Sequence, residues 1–266
     1  MMHNKYGCKP PLKDVRDYRL AKVSGEIQLP TEYEVDCLPK VKNQKAVSSC
    51  VAHSMSSILE HHCKNKHTLS TNFIYGIQNK HCGHKGTGMY LRDACSIVKD
   101  FGDMTEEDCP DNTEIPDVWE IAEKSLEDSN KANKAKEFAI KSYFNCYNDA
   151  DIKRAIFNYG PVLCSIKWYE NFEYDNDYVL YGNKKGDYGY HAVMIYGWDE
   201  KGFLCQNSWG KNWGNNGRFT LPYSIGVAEA KGLVDAEDSQ IVIPKRGALL
   251  DIIYKIVNFI INIIKK

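Results

Sequence analysis

The sequence predicts an α+β protein of two lobes, helical in its first half and made of antiparallel, barrel-like strands in its second, with a cleft between the lobes. Three observations lead there. Apolar residues in the first half recur at helical spacing, as in Val51, Met55, Ile58, Leu59 and His62. Beyond Gly160-Pro161 the texture changes to short apolar or alternating runs broken by glycines and turns. No internal repeat relates one part of the chain to another. The 266 residues, 43% hydrophobic and 26% charged, are enough to close a sizeable core. A formal net charge of -1, from 34 basic and 35 acidic side chains, gives no broad positive field, so nucleic acid is not an expected partner.

In chain order, residues 1–28 form a short leader whose Lys9-Pro10-Pro11 and mixed charges suit an extended surface segment. Ser48 and Ser49 are suited to N-capping, and the spacing after them predicts a buried helix over about 49–63 with Cys50 in its first turn. A second helix follows from Leu91, Ala94, Cys95 and Val98, with Gly102 as its stop. The charged residues 117–140 read as exposed helix, and Asp149 to Tyr159 as one more. Strands are expected in "PVLCSIKWY", "HAVMIYGWD", "GFLCQNSW", "GRFTLPY" and, last, Ser239 to Ile243. The main body is thus expected over 29–243. In the tail 244–266, Asp251, Lys255, Asn258, Asn262 and Lys265 form one narrow polar stripe on an apolar helix. A simple membrane span is disfavoured by its length and interruptions. A membrane surface, self-association through residues 248–264, or docking on the chain's own body are the readings left open.

The first thirty residues contain no apolar run of the kind a secretory leader needs, and the ten cysteines are scattered singly from Cys8 to Cys205. The expectation is therefore an intracellular protein with reduced thiols. Among those thiols Cys50 is set apart by its place at a helix N-terminus, where the dipole favours a thiolate. His191 opens the apolar run His191-Ala192-Val193-Met194-Ile195, and Asn207 ends the next expected strand sixteen residues later. If the two strands pair as a hairpin, the Asn207 amide oxygen can orient one ring nitrogen while the other faces the sulfur. Acyl transfer at Cys50 would also need oxyanion donors, and the Gln44 side-chain amide with the Cys50 backbone N–H would supply two. Taken singly, His191 reads as a core histidine and Gln44 as a surface glutamine; the combination points to nucleophilic catalysis on a carbonyl.

These pieces stand in blocks: Val41-Lys42-Asn43-Gln44 with Cys50, Tyr159-Gly160-Pro161-Val162, His191-Ala192-Val193 followed by Gly197-Trp198, and "NSWGKNWGNNG" from Asn207 to Gly217. In type and order they resemble the papain-like (cathepsin-like) cysteine peptidases from about Leu29 to Ile243. The resemblance implies the papain-like two-lobed fold, with Cys50 as nucleophile, His191 as general base and acid, Asn207 as the orienting residue and Gln44 as oxyanion donor. It implies an indole at Trp209 that shields the Asn–His bond and borders the leaving-group side of the cleft as a substrate contact, a substrate-binding strip near Gly86 and Gly88, Met89 at the mouth of a specificity pocket, and Tyr190 as a further substrate contact. No cofactor is implied, and the partner is a protein or peptide substrate. The sequence departs from the family where Cys-Gly-Ser usually precedes the nucleophile and Trp follows it; here stand Val47-Ser48-Ser49 and Val51. Val47 removes half of a disulfide found in secreted members.

The leader "YGCKPPLKDVRDY" resembles those of short-form microbial and viral members, which is compatible with a virion as well, and it is expected to dock along the catalytic lobe and limit access. No loop with paired histidines stands where dipeptidases of the cathepsin B type carry theirs, so endopeptidase action is expected. The groups His81, Cys82, His84 and His61, His62, Cys63 lack a spaced second pair, and no metal is expected. Acyl transfer or isopeptide cleavage by the same residues is the alternative reading, and a non-catalytic membrane-docking protein of this fold is a third.

Overall fold

Helix α1 (Cys50–His62) is buried from Cys50 to Glu60, and its sequence accounts for that depth. Alanine, serine and methionine let neighbours approach closely, and two of its buried polar groups, Ser56 and Glu60, are paired with the chain around Leu69. The Ser56 hydroxyl donates to the Leu69 carbonyl at 3.1 Å, while Glu60 accepts from the Leu69 N–H and meets Lys42 at 2.9 Å. The structure is a computed structural model that describes residues 6–12, 28–84, 87–111 and 117–235. The remainder of the leader, Gly86, the expected strand Ser239–Ile243 and the tail 244–266 lie outside the described residues.

Around α1 pack α2 (Thr71–Cys82) and α3 (Leu91–Asp100). The α2 helix starts on a Ser70 side chain that accepts the Phe73 N–H and stops at Gly83 in the left-handed conformation. It had no counterpart among the expected elements, because aromatic and β-branched residues and a mid-helix glycine obscure its period. The same glycine is required by packing. A Cβ on Gly76 would come within 2.4 Å of the Ala122 methyl, so helix α4 (Asp117–Glu127) can lie directly against α2.

Residues 117–140 are not one exposed helix. The Asp128 carboxylate caps a new helix, α5 (Ser129–Ala135), by accepting from Asn130 and Lys131, and a 3₁₀ turn at Lys136–Phe138 follows. Val118 and Ala122 of α4 are fully buried, and Ile140 begins a strand. The charge run concealed a helix with one apolar face.

The second half forms an antiparallel sheet in the order β2 (Ile140–Cys146), β9 (Glu229–Asp235), β3 (Val162–Tyr169), β6 (Tyr188–Trp198), β7 (Gly202–Gln206) and β8 (Arg218–Pro222). Strand β1 (Tyr33–Glu34) adds to β6, and α6 (Asp149–Tyr159), capped by the Asn148 side chain, connects β2 to β3. A separate two-stranded ribbon pairs β4 (Glu173–Tyr174) with β5 (Leu180–Tyr181). The sheet is open, with β2 and β8 at its edges, and does not close into a barrel. Strand β9 had not been expected; it lies between β2 and β3 and buries Ala230, Lys231 and Leu233. Buried Lys231 is held by Asn145 and Glu229, which removes it from any simple alternating pattern.

Two predictions concern this scaffold. Gly102 has φ +77°, and a Cβ there would lie 1.8 Å from the Ala135 carbonyl oxygen. Gly102→Ala should therefore cost about 2 kcal/mol or more in chemical denaturation; an unchanged midpoint would show that this turn is not constrained. Burial pushes the pKa of His53 and of His62 down to about 4. The folded state keeps both neutral, so between pH 6.5 and 4 the unfolded chain binds protons that the folded chain refuses. Each histidine thus supports the fold fully above pH 6.5 and withdraws stability as pH falls toward 4. The difference in denaturation midpoint between wild type and His53→Gln should change across that window, and a constant difference would refute the assignment.

Candidate active site

Cys50 is the first residue of α1, so its sulfur sits where the helix presents unpaired N–H groups. The Ala192 N–H from β6 points at Sγ from 3.4 Å. This contact joins two parts of the chain 142 residues apart. Burial pushes the Cys50 thiol up to about 11, against the pull of N–H groups from Ala192, Gly7 and Val51.

His191 immediately precedes Ala192 on β6, opposite Ile166 of β3, and is fully buried. Its Nε2 lies 2.7 Å from Asn207 Oδ1. Asn207 thus holds the ring through Nε2. Asn207 is itself fixed: its N–H donates to the Gly217 carbonyl, and Oδ1 accepts the Ser208 N–H at 2.7 Å. The Trp209 indole lies over His191 with ring centroids 4.6 Å apart and planes inclined by 30°. Trp168 meets His191 edge-on at 5.5 Å, and Trp213 closes on Trp209 at 5.2 Å. Water is thereby kept from the His–Asn bond, which raises its strength and directionality.

Gln44 is fully buried, so the single-residue reading as a surface glutamine does not hold. Its Nε2 donates to the Val47 carbonyl at 2.8 Å, and its Oε1 accepts the Ser208 hydroxyl at 2.6 Å. The backbone repeats the connection, with Gln44 N–H to Ser208 O at 2.9 Å and Gly210 N–H to Lys42 O at 3.0 Å. Ser208 thus ties the loop bearing Gln44 to the loop bearing Asn207. It stands in the quoted "NSWG" block, but nothing in its spacing indicated a role.

The remaining expected site residues meet the leader. Cys8 bridges Met89 in parallel and Tyr190 in antiparallel fashion. Cys8 N–H donates to Tyr190 O at 3.1 Å, Met89 N–H to Gly7 O at 2.8 Å, and Lys9 N–H to Met89 O at 2.9 Å. Residues 7–9 are therefore a short strand between the two lobes, with the Gly7 backbone on the Cys50 sulfur and the Tyr6 ring 6.3 Å from His191. Close approach selects glycine along this path. A Cβ on Gly7 would lie 2.1 Å from Ser48 O, one on Gly88 2.9 Å from Gly7 O, and one on Gly189 2.5 Å from the Tyr6 ring. Gly88 also donates its N–H to the Tyr75 hydroxyl. Met89 is fully buried where the leader pairs with it. A docked leader was expected, but not that Tyr6, Gly7 and Cys8 are the residues that reach the site, since an extended segment carries no periodic signal.

Among the described residues no group of three or more histidine, cysteine, aspartate or glutamate side chains is placed to hold a metal. His81 meets Asp100 at 3.2 Å and His84 meets Asp93, while His61 and His62 lie at the far end of α1. The ten cysteines form no disulfide. No helix among the described residues is long and apolar enough to cross a membrane.

A thiol at a helix N-terminus, an imidazole oriented by a carboxamide, and amide donors beside the sulfur can together attack and hold a carbonyl. The chain is 39% identical over 93 residues to a gut-specific cysteine proteinase of Caenorhabditis elegans, covering 33% of this chain and 28% of that protein. It is 25% identical over 253 residues to a cathepsin B-like cysteine proteinase 3 of the same organism, covering 80% of this chain and 68% of the relative. In fold it is similar to xylellain, a cysteine protease from Xylella fastidiosa, with a TM-score of 0.74 at 23% identity over 88% of this chain and 97% of the other. The family model for papain family cysteine proteases matches residues 31–231, and the chain accordingly belongs to the papain family of cysteine proteases.

Proposed function

We propose that the protein is an endopeptidase that hydrolyses peptide bonds through a thioester on Cys50. The observation that carries this is the 2.7 Å bond from His191 Nε2 to Asn207 Oδ1 on the strand whose next N–H reaches the Cys50 sulfur. Sulfur attacks the substrate carbonyl carbon and its proton passes to His191 Nδ1. The carbonyl oxygen takes the negative charge, facing the Cys50 N–H and the Gln44 amide. Collapse breaks the C–N bond as Nδ1 gives its proton to the departing amine. Water then gives a proton to His191 and attacks the thioester; the C–S bond breaks, the acid leaves and the sulfur recovers its proton. The paired histidines support endopeptidase rather than dipeptidase action: they end a 13-residue helix that begins at Cys50, roughly 18 Å away at 1.5 Å per residue.

In this reading residues 6–9 hold the enzyme at rest. Met89 and Tyr190 offer their backbone groups to the leader as they would to a substrate, and the Gly7 backbone covers the nucleophile, whose thiol is then driven toward the protonated form by burial. Displacing the leader restores both access and thiolate.

Labelling with an epoxide inhibitor of thiol peptidases, followed by mass mapping, should place the adduct on Cys50; an adduct elsewhere sinks the mechanism. Gln44→Ala should lower kcat by about 10²–10³, with thermal denaturation run alongside to separate catalysis from the clamp to Ser208. An unchanged kcat removes Gln44 from the oxyanion site. Gly7→Ala cannot keep the leader in place, so labelling of Cys50 at pH 7 should accelerate, roughly tenfold for each unit by which the thiol pKa falls. Equal labelling rates in the two proteins would count against a resting role for the leader.

A further inference from the structure

Against Trp209, the indole that by resemblance borders the leaving-group side of the cleft, lies a cavity of about 380 Å³ that the proposed reaction does not use. One face of this indole lies against His191, and its ring meets Trp168 at 4.9 Å and Trp213 at 5.2 Å. Tyr174 continues the aromatic wall, 5.5 Å from Trp213. A side chain seated here would belong to a substrate residue close to the bond being cut.

The charge of the cavity has one sign. Its lining includes Glu170 and Glu173 and no lysine, arginine or histidine among the described residues. Two of the cations nearest in sequence are engaged elsewhere: Lys167 lies over the Tyr188 ring at 4.7 Å, and Lys184 donates to the Ser224 carbonyl at 2.6 Å. From 170 to 187 the chain carries five carboxylates against two lysines. Glu173 is held in place across the β4–β5 ribbon, where the Tyr181 hydroxyl donates to its Oε2 at 2.7 Å. The field of Glu170 reaches inward, since with burial it raises the pKa of the Tyr6 phenol on the cavity wall.

Aromatic faces carry negative quadrupole density, and carboxylates at the rim add full charge. The two together suit a cation on an apolar stem, whose methylenes cover the rings while its head reaches the glutamates. An acidic side chain would meet repulsion there. We infer that this cavity is a specificity site, assigned by Glu170 and Glu173, for a lysine or arginine side chain in the first two substrate residues on the leaving-group side of the cut. The inference rests on the peptidase reading for its place in the reaction, but the cage itself can be measured without turnover.

Two readouts test it on the full chain. N-acetyl-lysine amide, titrated against tryptophan fluorescence, should change the emission saturably, N-acetyl-glutamate amide should not, and the change should be lost in the Glu170→Gln/Glu173→Gln double variant. Circular dichroism and thermal melting establish that the variant is folded. Matched quenched peptides with Lys, Met or Glu at either leaving-group position then give kcat/KM. Lys should exceed Glu by about tenfold at low salt, and the ratio should collapse toward one in the double variant and shrink with salt in the wild type. A Lys-to-Glu ratio unaltered by the double substitution, or a fluorescence response blind to the charge of the titrant, overturns the proposal. Absence of all cleavage and of Cys50 labelling would instead fell the peptidase reading, while the fluorescence titration would still decide the cage.

Discussion

The contact between the Cys50 sulfur and the Ala192 N–H is where the two halves of this chain become one site. Neither half supplies a working group without the other. The helix brings a sulfur and a positive helix end; the strand brings an N–H to the same sulfur and, one residue earlier, the imidazole. For His191 to be there, β6 must sit centrally in its sheet, flanked by β3 and β7, because a frayed edge strand would not hold a ring to within hydrogen-bond tolerance. For Cys50 to be there, α1 must be buried almost throughout, which in turn requires partners for Ser56 and Glu60 and small residues where neighbours cross.

A second tie fixes the first. The loop 207–210 is bound to residues 42–44 through Ser208 and Gly210, so Asn207 and Gln44 move as one piece. In the proposed mechanism this matters: an orienting carboxamide and an oxyanion donor that shared no support could each drift by fractions of an ångström, which is costly where donors must meet a charge that exists only transiently. Gly210, at φ +79°, lets the loop pass Asn43 without a side chain between them. The tryptophans follow from the same need: Trp168, Trp209 and Trp213 interlock with ring centroids 4.9–5.9 Å apart beside the buried His191 and Asn207.

The parts of this arrangement that could be read from sequence are those written locally. Cys50 follows its capping serines, His191 opens a strand and Asn207 ends the next, so a period and two turns suffice to suggest them. Helix α2 and strand β9 escaped because tertiary packing overrides their local pattern: Gly76 is there for Ala122, and buried Lys231 for Asn145 and Glu229. The run 117–140 looked uniformly exposed because charge dominates its composition, yet Asp128 divides it and Val118 faces the core. The role of Ser208 and the residue-by-residue pairing of Tyr6 to Lys9, beyond the expectation of a docked leader, were unreadable for a different reason. Their partners lie far along the chain, and extended backbone pairing leaves no trace in side-chain type except the glycines it demands.

The cleft divides into two kinds of recognition at His191. On the Met89 and Tyr190 side the protein offers backbone N–H and C=O groups, which any extended chain can satisfy; the leader does so with Gly7, Cys8 and Lys9. Backbone pairing gives affinity with little selectivity, and it is the reason a segment of the enzyme's own chain can occupy that half. On the Trp209 side the surface is made of ring faces and two carboxylates, which reward particular side chains and give little to a backbone. Tyr6 leans on that wall with a ring and no cation, so the leader exploits the unselective half in full and the selective half only in part. A substrate with a basic residue on the leaving-group side can therefore bring to the second half an interaction that the leader lacks, and that difference, rather than total contact area, is what lets a peptide compete with a segment tethered to the enzyme.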